Sequence, residues 1–137
     1  MKHIISTLFT IVLLISLVSC DAPGVYKIDD DLPPIINSET QYPYILSVDV
    51  TDEITGNTVT LVSSSDIDTI HMKFEGIKCT KNDSVSSDSC VYTVSFNTDT
   101  DSFSIGVISE TELIINGTGY EAMRGGADMM YLAGLFN

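Results

Sequence analysis

The sequence predicts an α+β domain that is mostly β: a small, curved antiparallel sheet or barrel with one C-terminal helix. Three observations carry this. From Tyr44 onward, β-branched and aromatic residues alternate with polar ones in short runs, the period of strands with one buried face. Clusters of turn-forming residues separate these runs. The period then changes near the C-terminus, where Met129, Leu132, Ala133 and Phe136 fall at i, i+3, i+4 and i+7, one face of a helix.

Residues 1–19 read as an export signal. Met1, Lys2 and His3 make a basic start, and Ile4 to Val18 is apolar apart from Ser6, Thr7, Thr10 and Ser16. That run is shorter than the roughly 20 apolar residues that cross a bilayer. Leu17-Val18-Ser19-Cys20 resembles the bacterial lipobox, in which a small residue precedes a cysteine that is lipidated and then becomes the first residue. Cys20 is therefore the expected lipidation site. An ordinary secretory cleavage between Ser19 and Ala22 is the alternative. Residues 20–41 read as a flexible tether, because Pro23-Gly24, Asp29-Asp30-Asp31 and Pro33-Pro34 favour extended, solvated chain. Residues 42–137 make one domain of ordinary size.

Within that domain, Tyr44 to Val50 is the first expected strand, followed by a turn from Thr51 to Asn57. Thr58 to Val62 is the second. Asp68 to Glu75 reads as a third, with Ile70, Met72 and Phe74 on one side and Thr69, His71 and Lys73 on the other. Cys90 to Asn97 places Tyr92, Val94 and Phe96 on one face. Thr98 to Asp101 is a tight hairpin turn, Ser102 to Ile108 the returning strand, and Glu112 to Asn116 a short sixth. Thr118-Gly119-Tyr120-Glu121 has the form of a helix-opening capping box. Gly125-Gly126 weakens the helix expected after it by roughly 1 kcal/mol per glycine.

The cysteines constrain the chemistry. With Cys20 lipidated, Cys79 and Cys90 remain as an even pair, and in an exported protein such a pair is expected to be oxidised. The loop so closed, about a dozen residues, would gain roughly 3 kcal/mol. Neither a Cys-x-x-Cys motif nor a basic, helix-opening setting marks either thiol as catalytic. Lys78, Lys81 and Asp83 at the base of this loop are the candidate binding residues, since a pinned loop loses little freedom on binding.

Phe74-Glu75-Gly76 leading to Cys79, the Ser102 to Ile108 strand, the Ser109-Glu110-Thr111-Glu112-Leu113 segment and the apolar end at Met130 to Phe136 resemble the META domain of the bacterial heat-shock protein HslJ and its relatives. The resemblance runs from about Met72 to Phe136, by order and pattern more than by identity. The chain departs from the family where a compact Gly-Cys-Asn becomes Gly76-Ile77-Lys78-Cys79-Thr80, and no cysteine follows Thr111. The resemblance implies a non-enzymatic envelope domain, often carried on a lipoprotein.

Composition narrows the function classes. The formal net charge is −13, and all 19 acidic residues lie beyond the export signal. Such a surface repels nucleic acid and anionic lipid headgroups, so both are poor partner candidates, and it attracts cations or basic proteins. Asn97-Thr98-Asp99-Thr100-Asp101 mimics the start of an EF-hand loop, but Ser102 and Ile108 stand where that loop needs Gly and Glu, so a hairpin turn is expected. Asp66 and Asp68 offer carboxylates at a strand entry. His71 is the one histidine beyond the export signal and would have to serve any hydrolase or metal site; its expected place is a solvated strand face. No Gly-x-Ser-x-Gly elbow or phosphate loop occurs. Asn82-Asp83-Ser84 and Asn116-Gly117-Thr118 fit the glycosylation sequon, which matters only in a eukaryotic setting.

These readings add up to a lipid-anchored bacterial envelope protein, not an enzyme, with no metal and no cofactor. The membrane would be its partner through the N-terminal lipid, and the domain would face the periplasm or the surface. The alternative is a secreted or surface inhibitor that captures a basic protein.

Overall fold

Strand alternation sorts this chain's side chains onto two faces of one sheet, and the order of the strands decides what must cover each face. The computed structural model describes residues 24–35 and 44–137. The export signal and Cys20 lie outside the described residues. Eight strands, β1 (Val25–Lys27), β2 (Ser47–Asp52), β3 (Thr58–Leu61), β4 (Lys78–Lys81), β5 (Tyr92–Asn97), β6 (Ser102–Val107), β7 (Glu112–Ile115) and β8 (Thr118–Arg124), pair in the order β1-β4-β8-β7-β6-β5-β2-β3. Every pairing is antiparallel and the sheet is open, with β1 and β3 at its edges. The α+β, mostly β class expected from the sequence is the class observed.

One face carries the core. Val48, Val50, Val94, Phe96, Ile105 and Val107 point inward from β2, β5 and β6 and are fully buried. Two helices cover them: α1 (Ser64–Phe74) and α2 (Met129–Gly134). Phe74 of α1 meets Phe96 edge-to-face at 5.9 Å, a favourable aromatic geometry. Leu132 of α2 is buried, and Phe136 beyond it stacks on Tyr92 at 6.0 Å. The two helices are joined by Lys73, whose ammonium donates to Asp128 at 2.7 Å and lies 5.3 Å from the centre of the Tyr131 ring.

Helix α1 corrects the expected third strand. The alternation of Ile70, Met72 and Phe74 suggested a strand, but Ile67, Ile70, His71 and Phe74 also fall at i, i+3, i+4 and i+7, and these four are the buried ones. Met72 is 63% exposed. The helix start is set by Ser63, whose hydroxyl accepts from the Asp66 amide at 3.2 Å and donates to the Asp66 carboxylate at 2.6 Å. The domain thus has two helices in its described residues rather than one.

The expected capping box at Thr118 to Glu121 is likewise part of a strand, β8. Asn116 and Gly117, with φ of +52° and +76°, form a turn with both central residues left-handed, the conformation a two-residue hairpin needs. The hairpin aligns Ile114 with Gly119, and the helix begins only at Met129.

The tether is corrected in part. Val25–Lys27 pairs with β4, Ile28 is fully buried, and the Ile28 amide donates to the Ile77 carbonyl at 3.1 Å. The acid run is used locally: Asp29 accepts from the Gly76 amide at 2.9 Å, and Asp31 accepts from the Tyr26 hydroxyl at 2.8 Å. Burial first, and that hydrogen bond second, push the Tyr26 phenol far above its ordinary range. The Tyr26 ring lies 5.0 Å from that of Tyr120. One strand pairing and two buried apolar side chains, Ile28 and Leu32, outweigh the solvated composition around them.

The other face has its own cover. Since β4 lies beside β8 and β5 beside β6, the chain from residue 82 to 91 must cross β8, β7 and β6. Gly106, Ile114 and Gly119 are direct partners in a row across these three strands. A Cβ on Gly119 would stand 2.6 Å from the Val85 carbonyl oxygen and 2.7 Å from that of Asn82. At Gly106 it would stand 2.6 Å from Cys90 Sγ. The crossing segment is therefore a strap laid into two slots that exist because these residues have no side chain. Its ends are hydrogen-bonded to the sheet, Asn82 to the Gly119 carbonyl at 2.9 Å and Val91 to the Val107 carbonyl at 2.8 Å.

Two outcomes follow. Gly106→Ala should cost about 1–3 kcal/mol by overpacking, and less in a Cys90→Ala background; Gly119→Ala, which meets backbone, should cost at least as much with no relief from Cys90→Ala. Urea denaturation midpoints check both. The Lys73 hydrogen bond holds the Asp128 carboxyl below its ordinary range. Stability from that pair is thus present above the unfolded carboxylate pKa of about 4 and fades as pH falls through the lowered native value. Asp128→Asn should flatten the acid limb of a plot of denaturation midpoint against pH.

Candidate functional site

Beside the strap, the outer face of β5, β6 and β7 forms a groove of about 600 Å³. Its floor is built from Thr93, Ser104, Gly106 and Ile114, the residues that alternate with the core positions of the same strands. Ser87, Asp88 and Cys90 of the strap, Glu53 after β2, and the Asn116-Gly117 turn line its sides. The polar floor is ordered before any ligand arrives. The Thr93 hydroxyl donates to the Glu53 carboxylate, Ser95 and Ser104 share a hydrogen bond of 2.7 Å, and Ser102 donates to the Asn97 side-chain oxygen at 2.9 Å. With those protons committed, Glu53, Thr93 and Ser102 present mainly acceptors. Next to the groove, Asp49 is fixed by Thr60 at 2.6 Å and by Asn97 at 2.9 Å.

The expected disulfide is not formed: Cys79 and Cys90 are both free. Cys79 points into the core from β4, whereas Cys90 lies over Gly106 on the opposite face. Three strand spacings of about 4.8 Å separate β4 from β6, far beyond the Cα separation that a bridge tolerates. The strap is pinned by packing instead. Burial pushes the Cys79 thiol up to about 11, and burial followed by the nearby Glu53 carboxylate raises that of Cys90.

Other candidate residues are scattered. Lys78 is in β4, and Lys81 pairs with Asp83 at 3.4 Å at the exposed start of the strap, outside the groove. Such an exposed pair adds little stability. Asn82 of the first sequon donates to Glu121 at 3.2 Å, while Asn116 of the second is exposed in its hairpin turn. The Asn97 to Asp101 segment is the hairpin turn, closed by Thr98, whose amide donates to the Asp101 carbonyl at 2.9 Å. Asp66 belongs to the first turn of α1, and Asp68 is exposed on it.

His71 departs from expectation most. It is buried in α1, with Nε2 3.0 Å from the Pro33 carbonyl and its ring edge-on to Phe96. The carbonyl can only accept, so Nε2 carries the proton. Glu75 Oε1 is 3.1 Å from Nδ1, yet out of line for a hydrogen bond. The ring joins the N-terminal segment to α1 and stands apart from the groove. Among the described residues, no three His, Cys, Asp or Glu side chains are grouped to hold a metal ion.

Sequence reasoning missed the groove. Its signal was the run of small hydroxyl residues at outward positions, Thr93, Ser95, Ser102 and Ser104, which reads equally well as an ordinary solvated face. Comparison with protein-family models, curated proteins and solved structures found no match. The two thiols give a direct check of the geometry. An alkylating reagent on the native protein should modify Cys90 slowly, and Cys79 only on unfolding, as read by peptide mass spectrometry.

Proposed function

We propose that the chain is a lipid-anchored protein of the bacterial cell envelope whose META-like domain acts by binding or structural support and catalyses no reaction. The observation that carries the binding role is the groove beside the strap. Its hydroxyl and carboxylate groups are held by the sheet and by one another, so a ligand would meet them already ordered and the ordering cost of binding would be small. The anchor rests on the apolar run ending at Cys20. The domain would face the periplasm or the cell surface.

A second reading, an inhibitor that captures a basic protein, is favoured by the groove's sign. Its described lining includes Glu53 and Asp88 and no lysine or arginine. Capture of this kind would weaken as salt rises, because exposed charge attraction is screened over about 8–10 Å near physiological ionic strength.

The intact mass of the protein from its native membrane tests the proposal. The expected mass is that of residues 20–137 plus acyl chains, unchanged by reductant because both remaining thiols are free. A lipid-free mass beginning after Cys20, or sugar at Asn82 or Asn116, would overturn the anchor and favour the secreted inhibitor.

A further inference from the structure

We propose that the outer edge of β3 pairs with β3 of a second copy of this chain, antiparallel about a two-fold axis through Val59. Among the described residues β3 ends the sheet, and the register decides which of its backbone groups are left over. The Asp52 amide donates to the Asn57 carbonyl at 2.8 Å, so the alternation of the ladder bonds Val50 to Val59 and Val48 to Leu61. Thr58 and Thr60 fall between these bonded pairs. The ladder on the other side of β2 has the matching parity: Glu53 donates to the Val91 carbonyl at 2.9 Å, so Thr51 and Asp49 bond toward β5 and leave Val48 and Val50 to β3. The N–H and C=O groups of Thr58 and Thr60 therefore point away from β2, and both residues are exposed.

This edge lacks the devices that keep most sheet edges closed. Strand β3 has no lysine and no proline, and its register with β2 runs without a bulge. From Ile54 to Ser65 the chain carries no charged residue, in a protein of net charge −13. Two such acidic chains meeting here bring no like charges into direct contact. The opposite edge differs, since β1 ends on Lys27 and runs into Asp29, Asp30 and Asp31.

A second copy is the occupant that fits, because the antiparallel register is self-complementary. With Val59 on the axis, Thr58 of each copy stands opposite Thr60 of the other, and each such pair exchanges two backbone hydrogen bonds. Every outward N–H and C=O group of the two threonines is then used. Their side chains face one another in Thr–Thr pairs, a favourable cross-strand combination. Val59, half-buried beside the core, meets Val59 of the second copy in the closer, non-hydrogen-bonded kind of pair. The same register lays the hairpin tip of one copy alongside the residues that follow β3 in the other. Ile54 and Val62, 77% and 71% exposed, thereby come to the same end of the contact. Four residues per strand make a small interface, so the dimer is a transient one in dilute solution.

The test is amide hydrogen exchange of the full-length protein in detergent solution, read residue by residue by NMR. In a concentrated sample the Thr58 and Thr60 amides should exchange at least about threefold more slowly than in one diluted about fiftyfold. Val59, already bonded to β2, should exchange equally in both. Thr60→Pro removes an N–H that the monomer leaves unbonded, a change that edge strands tolerate, and should abolish the concentration dependence at Thr58. Should that variant not fold, Thr58→Pro, at the first residue of the strand, makes the same test with Thr60 as the probe. Exchange that is equally fast at both concentrations would overturn the proposal by showing an open edge. Exchange that is equally slow would overturn it by placing another segment of this chain on that edge. Concentration dependence that survives the proline variant would put the contact elsewhere and overturn it as well.

Discussion

The crossing of the strap over Gly106, Ile114 and Gly119 is the constraint on which the rest of the structure depends. A chain that leaves β4 and enters β5 must traverse the three strands inserted between them. Helices α1 and α2 pack on the core face, so the crossing takes the outer one. An ordinary side chain at position 106 or 119 would hold the strap off the sheet. With glycine at both positions, Val85 and Cys90 descend onto the strands, and Ile114 between them is only 8% exposed. The outer face thus becomes two surfaces: a dry strip under the strap and an open, hydroxyl-lined groove beside it.

That division also keeps the two free thiols apart, on opposite faces of the sheet. Cys79 is sealed in the core, and Cys90 is tucked against a glycine whose slot it fills. Burial disfavours the thiolate at both. Packing does for the strap what a bridge was expected to do, and each thiol is shielded on its own side of the sheet.

Much of the fold was legible in the sequence. Strands β2, β3, β5, β6 and β7 lie within a few residues of their expected bounds; β2, β5 and β6 bury one face and alternate, whereas β7 is a short apolar run with Leu113, Ile114 and Ile115 all buried. The failures share a cause, since each is a segment that satisfied two patterns at once. The stretch from Ile67 to Phe74 fits a helix and, over its last five residues, a strand; the helix prevails because Ser63 caps it and only helical spacing buries Ile67 and His71 together. Thr118 to Glu121 fits a capping box and a strand, and the Asn116-Gly117 hairpin turn decides for the strand. Asp29 to Asp31 reads as solvated chain, but its neighbours Ile28 and Leu32 find the core. The groove was not legible, since its place depends on which strands are neighbours, and one-dimensional alternation does not contain that order.

The central claim, that the strap is an integral layer of the fold, is tested most directly by native-state hydrogen exchange of the Asn82 and Val91 amides. Both donate to sheet carbonyls from the two ends of the strap. If the strap is integral, these amides exchange only with global unfolding, at the same opening free energy as the central amides of β6. Exchange at a much lower opening free energy, while β6 stays protected, would contradict the account and make the strap a separately opening loop.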